Sequence, residues 1–329
     1  MSVLILGEAE VHQHLVMAEC IEAMAGALGA LARGEASMPL RSVLRGPQSK
    51  GMLGLMPAYR GGETPVYSLK AVCVFPENPR LGLDAHQGTV TLFDGETGRP
   101  SAILNGSALT SIRTAAVSAL ATRLLAPPDA GVLALLGSGV QARAHLSALA
   151  LVRALREVRI HSPNDEHAQA LAAAGAQELE GVRFEVCASA REALAGAELV
   201  VTATNSRTPV LEREWLEPGA HVNAIGASVP SHRELDTATL AAAELFVDSR
   251  ESAANEAGEY RDALSGGEIG PDHIRAELGE VVIGAHPGRS GPAALSVFRS
   301  LGLAVEDLAA AELAVANARR ARAGVEVEL

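Results

Sequence analysis

The sequence predicts an α/β fold in which a doubly wound parallel sheet accompanies a second, antiparallel sheet. Three observations predict it. Gly131 to Leu151 reads GVLALLGSGVQARAHLSALAL, an apolar strand followed at once by a glycine-rich turn and a helical pattern. Strand–helix alternation then continues to Asp248, which calls for parallel strands with helical crossovers. Ahead of it, residues 51–109 hold four strand-like runs separated by turn residues.

In chain order, residues 2–33 read as a short strand and a helix. Val16, Met17, Cys20, Ile21, Met24, Leu28 and Leu31 keep helical spacing, and Gly34 ends the run. Pro39 then blocks helix and begins an extended segment that carries Arg41. The runs MLGLMPAY, VYSLKAVCVF, GTVTLFD and SAILN follow as antiparallel strands, and Phe93 to Gly98 reads as a hairpin turn. Residues 110–126 predict a helix that Thr110 or Ser111 caps and Pro127-Pro128 stops, with Arg113 in its first turn. Later strands are expected at Val132–Leu136, Val158–His161, Phe184–Cys187, Leu199–Thr204, His221–Ile225 and Leu245–Asp248. Helical or turn segments, including Glu166–Ala174, Arg191–Ala195 and Thr237–Ala243, lie between them. Residues 258–303 hold a loop-rich section, GEYRDALSGGEIGP, followed by EVVIG, HPGRSGP and LSVFRSLG, and Ala304 to Ala323 reads as a helix rich in Ala, Leu and Glu.

The 329 residues suffice for two buried cores. Hydrophobic residues make up 48% and aromatics only 3%, so those cores are built of Ala, Val and Leu at close contacts. A net charge of -12 argues against a nucleic-acid partner, which needs a basic face, yet allows a locally basic pocket. Cys20, Cys73 and Cys187 lie far apart. They make neither a disulfide framework nor a metal knuckle, so no metal is expected. No apolar run is long enough for a membrane span or a signal peptide, and a cytoplasmic location is expected.

The chemistry starts at the glycines. Gly137, Ser138, Gly139, Val140, Gln141 and Ala142 form a G-x-G-x-x-A turn between strand and helix, the Rossmann arrangement for a dinucleotide. Gly137 permits the tight turn, Gly139 lets a pyrophosphate approach, and the free N–H groups of the new helix face the anion. Ligands are expected beyond the strand ends, at Thr202, Thr204 and Asn205, and at Gly226, Ala227 and Ser228. The second strand ends His161-Ser162-Pro163-Asn164, with no acid at its tip to hold ribose hydroxyls. That favours NADP(H), with Ser162 and Asn164 as hydrogen-bonding partners of a 2′-phosphate, over NAD(H). Arg143 and His145, on the helix after the glycines, read as phosphate-adjacent or surface residues.

The antiparallel half supplies Arg41, Lys70 and Arg113. Two guanidinium forks suit a carboxylate, and a lysine can donate a proton or polarise a C=N group. The plainer alternative is three unconnected structural cations. His86, in DAHQG, either shuttles a proton or serves as a structural donor.

Together several segments resemble the ornithine cyclodeaminase/μ-crystallin family. They include MPLRSVL, GLMPAY, LKAVCVFPENP, AHQGTVTLFDGETG, ALTSIRTAAVSALAT, LLGSGVQARAH, AELVVTATNSRTPVL, PGAHVNAIGASVPSHRELD and VFRSLGLAVEDLAAA. These run over nearly the whole chain, and GASVP-x-x-RELD with AELGEV places it nearest the ketimine-reductase side.

The resemblance implies a Rossmann domain, residues 116–303, inserted in a discontinuous substrate-binding and dimerisation domain of residues 1–115 with 304–329. It implies a homodimer whose sheet domains meet. By similarity, Arg41, Lys70 and Arg113 line the substrate pocket and Gly137 to Gln141 cradle the phosphates. Ser162 and Asn164 take the adenosine ribose end, Thr204 and Asn205 lie by the cofactor, and Ser300 and Gly302 lie near the nicotinamide. Two positions depart from the cyclodeaminase branch, which carries acids where this chain has Gly54 and Ser228. The implied activity is therefore reduction of a small 2-imino carboxylate such as Δ1-pyrroline-2-carboxylate. Ornithine cyclodeamination, alanine-type amino-acid dehydrogenation and non-enzymatic, NADPH-dependent small-molecule binding are the alternatives.

Overall fold

The computed structural model describes residues 2–226 and 228–328; Ala227, expected at a strand tip, lies outside the described residues. The chain opens with β1 (Ser2–Leu6), α1 (Glu8–His14), α2 (Met17–Ala32), β2 (Ala36–Ser37) and β3 (Ser42–Leu44). Then come β4 (Met52–Arg60), β5 (Val66–Val74), β6 (His86–Asp94), β7 (Pro100–Asn105) and α3 (Gly106–Leu125). The middle of the chain holds β8 (Val132–Leu136), α4 (Val140–Ala150), β9 (Glu157–His161), α5 (Asp165–Glu178), β10 (Arg183–Val186), α6 (Ala190–Leu194), β11 (Leu199–Thr202) and β12 (His221–Ala224). It continues with α7 (Thr237–Ala242), β13 (Glu244–Val247), α8 (Arg250–Glu256), α9 (Gly258–Gly266), β14 (Ile274–Glu277), α10 (Leu278–Val282) and β15 (Ser296–Arg299). The chain closes with α11 (Ala304–Ala321) and β16 (Val325–Glu328). It divides into two compact units, Met1–Arg113 with Gly302–Leu329, and Thr114–Leu301.

In the first unit one mixed sheet runs β16-β1-β7-β6-β5-β4-β2, and β3 also pairs with β4. The hairpin expected after Phe93 joins β6 to β7. β1 lies parallel to β7, and β16 closes the edge against β1 as a strand the sequence reading missed. Strand period puts alternate side chains on one face. Register aligns Met56, Lys70, Val90 and Leu104 in one row across β4 to β7, and all four are buried. α11 packs on β4, β5 and β6 and also on α2. The buried Ala310, Ala311, Ala314 and Ala318 give α11 a small-residue stripe that permits close helix approach. A lysine thus occupies the apolar row beneath α11.

The second unit is one parallel sheet of eight strands in the order β10-β9-β8-β11-β12-β15-β13-β14. Its central strands are buried on both faces, as in a sheet covered by helices, with His221 and Asn223 of β12 as buried polar exceptions in an otherwise mainly apolar set. Strand order reverses between β8 and β11, so the crevice beyond their carboxyl ends is the switch point where ligands bind. α9 forms within the section read as loop-rich, and β14, α10 and β15 follow it. Among the described residues no single helix is long and apolar enough to cross a membrane.

Candidate active site

The glycine turn sits at the switch point. Gly137 has φ of 117°, and a Cβ there would lie 2.5 Å from the Ala203 carbonyl oxygen, just beyond β11. Glycine is required there by backbone and packing together. Gly139 differs. It has an ordinary φ of -80° as N-cap of α4, no side chain caps that helix, and a Cβ would meet no atom within 4 Å. The protein leaves that space open at a helix end whose first N–H groups lack intrahelical partners. The buried Ala142 packs inward, as the motif demands, while Val140 is exposed beside the turn. Gln141 keeps its Oε1 buried without a protein hydrogen bond. This cradle fits a dinucleotide diphosphate.

Ser138 Oγ donates to Ser162 Oγ at 2.8 Å, joining the turn to the end of β9. Asn164 Oδ1 accepts from His167 N at 3.0 Å and caps α5, which leaves its amide NH2 as the donor end. Beyond β11, Thr204 is half-buried and Asn205 exposed. Ser228 Oγ donates to Leu301 O at 3.0 Å, and Asp248 Oδ2 accepts from Leu301 N at 2.6 Å. Ser300 next to it is buried, and its hydroxyl has no protein hydrogen bond. His145 is fully buried and so is not a surface residue. Its ring meets Gln141 O and Ser118 Oγ, and burial pushes its pKa down to about 4.

Glu234 was not anticipated. It is buried, yet it accepts from Thr202 Oγ1 at 2.7 Å, Thr204 N at 2.6 Å and Gly226 N at 2.7 Å. One carboxyl thereby ties the carboxyl ends of β11 and β12 together, and burial pushes its pKa up. Glu234→Ala is expected to destabilise the protein by about 2–3 kcal/mol, because the buried Thr202 hydroxyl and two half-buried backbone N–H groups lose their acceptor. A thermal melt measures this, and Glu234→Gln should recover only part of it, because its single amide oxygen can replace Oε1 or Oε2 while its NH2 faces a backbone N–H at the other position.

In the first unit the cations converge. Lys70 Nζ lies 3.1 Å from Asp307 Oδ1, and Arg113 Nε lies 2.9 Å from the same oxygen. Arg113 Nη1 reaches Glu306 Oε2 at 2.8 Å. Lys70, Arg113, Glu306 and Asp307 are all at most 4% exposed. Arg41 Nη2 donates to Gly302 O at 2.9 Å. Gly302 has φ of 79°, and a Cβ there would sit 2.7 Å from Arg113 Nη1, so the guanidinium presses on this residue's backbone. Arg41, Lys70 and Arg113 thus lie together with the carboxylates of Glu306 and Asp307.

Arg113 is not in the first turn of its helix, as the sequence suggested. α3 starts at Gly106, where Asn105 Oδ1 accepts from Ala108 N at 2.9 Å. Thr110 and Ser111 are not caps but bond back to Gly106 O and Ala108 O. Arg113 therefore lies mid-helix, paired with acids and not opposing free helix N–H groups.

The electrostatics follow from burial and pairing. Desolvation lowers the pKa of Lys70 most, and Asp307 opposes this while Arg113 and Arg41 add to it; the result is about 8. Desolvation raises the Asp307 carboxyl, but Arg113 and Lys70 outweigh it and leave that group below its usual range. His86 stands at the start of β6. Desolvation, then the Lys70 and Arg113 charges, hold its pKa below the ordinary value. Nothing in spacing marked Glu306 and Asp307. Two acids opening an alanine-rich helix look like surface partners of the helix dipole.

Residues 1–322 match the ornithine cyclodeaminase/mu-crystallin family. The chain is 41% identical over 280 residues to the ketimine reductase mu-crystallin of Mus musculus, covering 85% of each chain. Its structure is similar to that of Thermococcus litoralis Δ1-pyrroline-2-carboxylate reductase in complex with NADH and L-proline, with a TM-score of 0.95 and 34% identity. That match covers 99% of this chain and 100% of the other. It is also similar to an archaeal alanine dehydrogenase dimer with bound NAD, with a TM-score of 0.93 and 35% identity over 100% of both chains.

Proposed function

Because the chain belongs to the ornithine cyclodeaminase/μ-crystallin family, we propose that it is an NAD(P)H-dependent reductase of small 2-imino carboxylates, such as Δ1-pyrroline-2-carboxylate, giving L-proline. The observation that carries this reading is the convergence of the buried Lys70 and Arg113 on Asp307 Oδ1, with Arg41 Nη2 on the carbonyl of Gly302, whose backbone Arg113 also meets. Arg41 and Arg113 bind that carboxylate. Lys70 stands ready to protonate the imine nitrogen, since burial brings its ammonium near neutrality. A reduced nicotinamide, when bound, supplies hydride to the carbon beside the carboxylate. Hydride on carbon and a proton on nitrogen together convert C=N to CH–NH. His86, close enough to feel Lys70, is assigned to the substrate side.

Gly137, Ser138, Gly139, Val140 and Gln141 are assigned to the diphosphate, Ser162 and Asn164 to the adenosine ribose. Thr204, Asn205, Ser228, Ser300 and Gly302 are assigned to the nicotinamide half. NADP(H) is the preferred cofactor and NAD(H) the alternative, because Ser162 and Asn164 follow β9 as hydrogen-bonding groups and no acid stands at the strand tip itself, Asp165 and Glu166 coming later in the first turn of α5. A homodimer is proposed as well. β3 leaves Val43 and Leu44 exposed, and Leu81 and Leu83 are exposed too, as a covered face would require.

Steady-state assays with pyrroline-2-carboxylate and each reduced cofactor test the reading. NADPH is expected to exceed NADH about tenfold in kcat/KM, equivalent to ~1.4 kcal/mol. Absence of turnover above an Arg113→Ala control would overturn the function. Ammonia release from ornithine with only catalytic amounts of cofactor would replace it with cyclodeamination. Gly54 and the Ser228 hydroxyl held on Leu301 make that outcome unexpected.

A further inference from the structure

We propose that Asp307 is the positioning residue of this reduction: its Oδ1 holds the Lys70 ammonium and the Arg113 guanidinium together, and so keeps Lys70 charged until its proton passes to the substrate nitrogen. This rests on the imine-reductase reading for the destination of the proton, but not for the state of Lys70.

Composition gives the first support. The chain contains twenty-five arginines and only two lysines, Lys50 and Lys70. Lys50 is exposed; Lys70 sits in an apolar row of a sheet, 3% exposed. A cation needed for structure alone is met by arginine throughout this chain. An amine serves where a proton must leave, since a guanidinium keeps its proton at any pH a protein survives.

The surroundings give the second. Burial in the sheet, Arg113 from α3 and Arg41 from the segment before β3 all favour the neutral amine. Asp307 favours the ammonium, by charge and by hydrogen bond. Glu306, its neighbour on α11, is engaged by Arg113, and His86 at the start of β6 carries a lowered pKa of its own. Asp307 is thus the anion that contacts Lys70. Both cations share one of its oxygens, while Oδ2 is buried without a protein hydrogen bond. The carboxylate is kept charged by ion pairing on one side. When Lys70 gives up its proton, Arg113 remains on the same oxygen, and Asp307 is never left as an uncompensated buried charge.

Protein labelled with 13C-lysine gives two lysine Cε signals, and Lys50→Arg assigns them. Lys70 is expected to titrate near pH 8 in the native protein, and Asp307→Asn should lower its midpoint by at least about one pH unit. The alkaline limb of kcat/KM should move down with it. In the unsubstituted protein the Asp307 carboxyl carbon should shift with the same midpoint as Lys70, a readout that needs no folded variant. An unchanged Lys70 midpoint in Asp307→Asn, or a carboxyl carbon indifferent to that midpoint, would overturn the assignment. A moved midpoint in a protein that reduces no imine would uphold Asp307 and sink the imine-reductase reading instead.

Discussion

Replacing Lys70 with methionine is expected to lower kcat/KM for Δ1-pyrroline-2-carboxylate about a thousandfold, within the range general-acid groups contribute. Methionine fills the same volume in the row between Met56 and Val90 and removes only the amine. Asp307 keeps Arg113 on its Oδ1, so the variant should fold. Because Lys70 belongs to the unit that does not carry the glycine turn, the dissociation constant of the reduced dinucleotide should change by no more than about twofold. Lys70→Arg separates two roles. It restores charge but offers no transferable proton, so it should recover KM while kcat stays low. In the native enzyme activity should fall as pH rises through about 8, because the ammonium is the reactive form. A methionine variant within about tenfold of native activity would show that the proton comes from elsewhere.

The parts of this molecule that were legible beforehand are local. The apolar run of β8 and the turn after it state their own structure, and the hairpin after Phe93 does the same. Elements of four residues embedded among glycines and prolines, such as β15, carry too little period to register. The start of α3 was misplaced because Thr110 and Ser111 have the chemistry of caps, whereas Asn105 does the capping. The electrostatic core was hidden for a different reason. Lys70 and Arg113 meet Asp307 across separations of 237 and 194 residues, and such pairing is set by the sheet and by α11, not by any local pattern. Sequence supplied the three cations; what neutralises them came only with tertiary structure. Glu234 was obscure likewise, since its partners are the backbone ends of two parallel strands.

The two glycines of the turn should respond to substitution in opposite ways. Gly137→Ala is expected to destabilise the protein by about 2–4 kcal/mol, since alanine must adopt an unfavourable φ and its Cβ would press on Ala203 O. Gly139→Val meets open space, and its φ is one any residue accepts. Its cost to stability should not exceed about 1 kcal/mol, the loss of a tolerable N-cap. Its cost to cofactor binding should be far larger. A valine side chain would occupy the space where the diphosphate approaches the free N–H groups of α4, and affinity for the reduced dinucleotide should fall at least about a hundredfold, or ~2.8 kcal/mol. Calorimetric titration and a thermal melt on the same two variants read both quantities. If Gly139→Val binds the dinucleotide as tightly as the native protein, the open space has another purpose, and the diphosphate does not rest on α4. If it unfolds as readily as Gly137→Ala, that glycine was kept for the fold, and the distinction between the two positions fails.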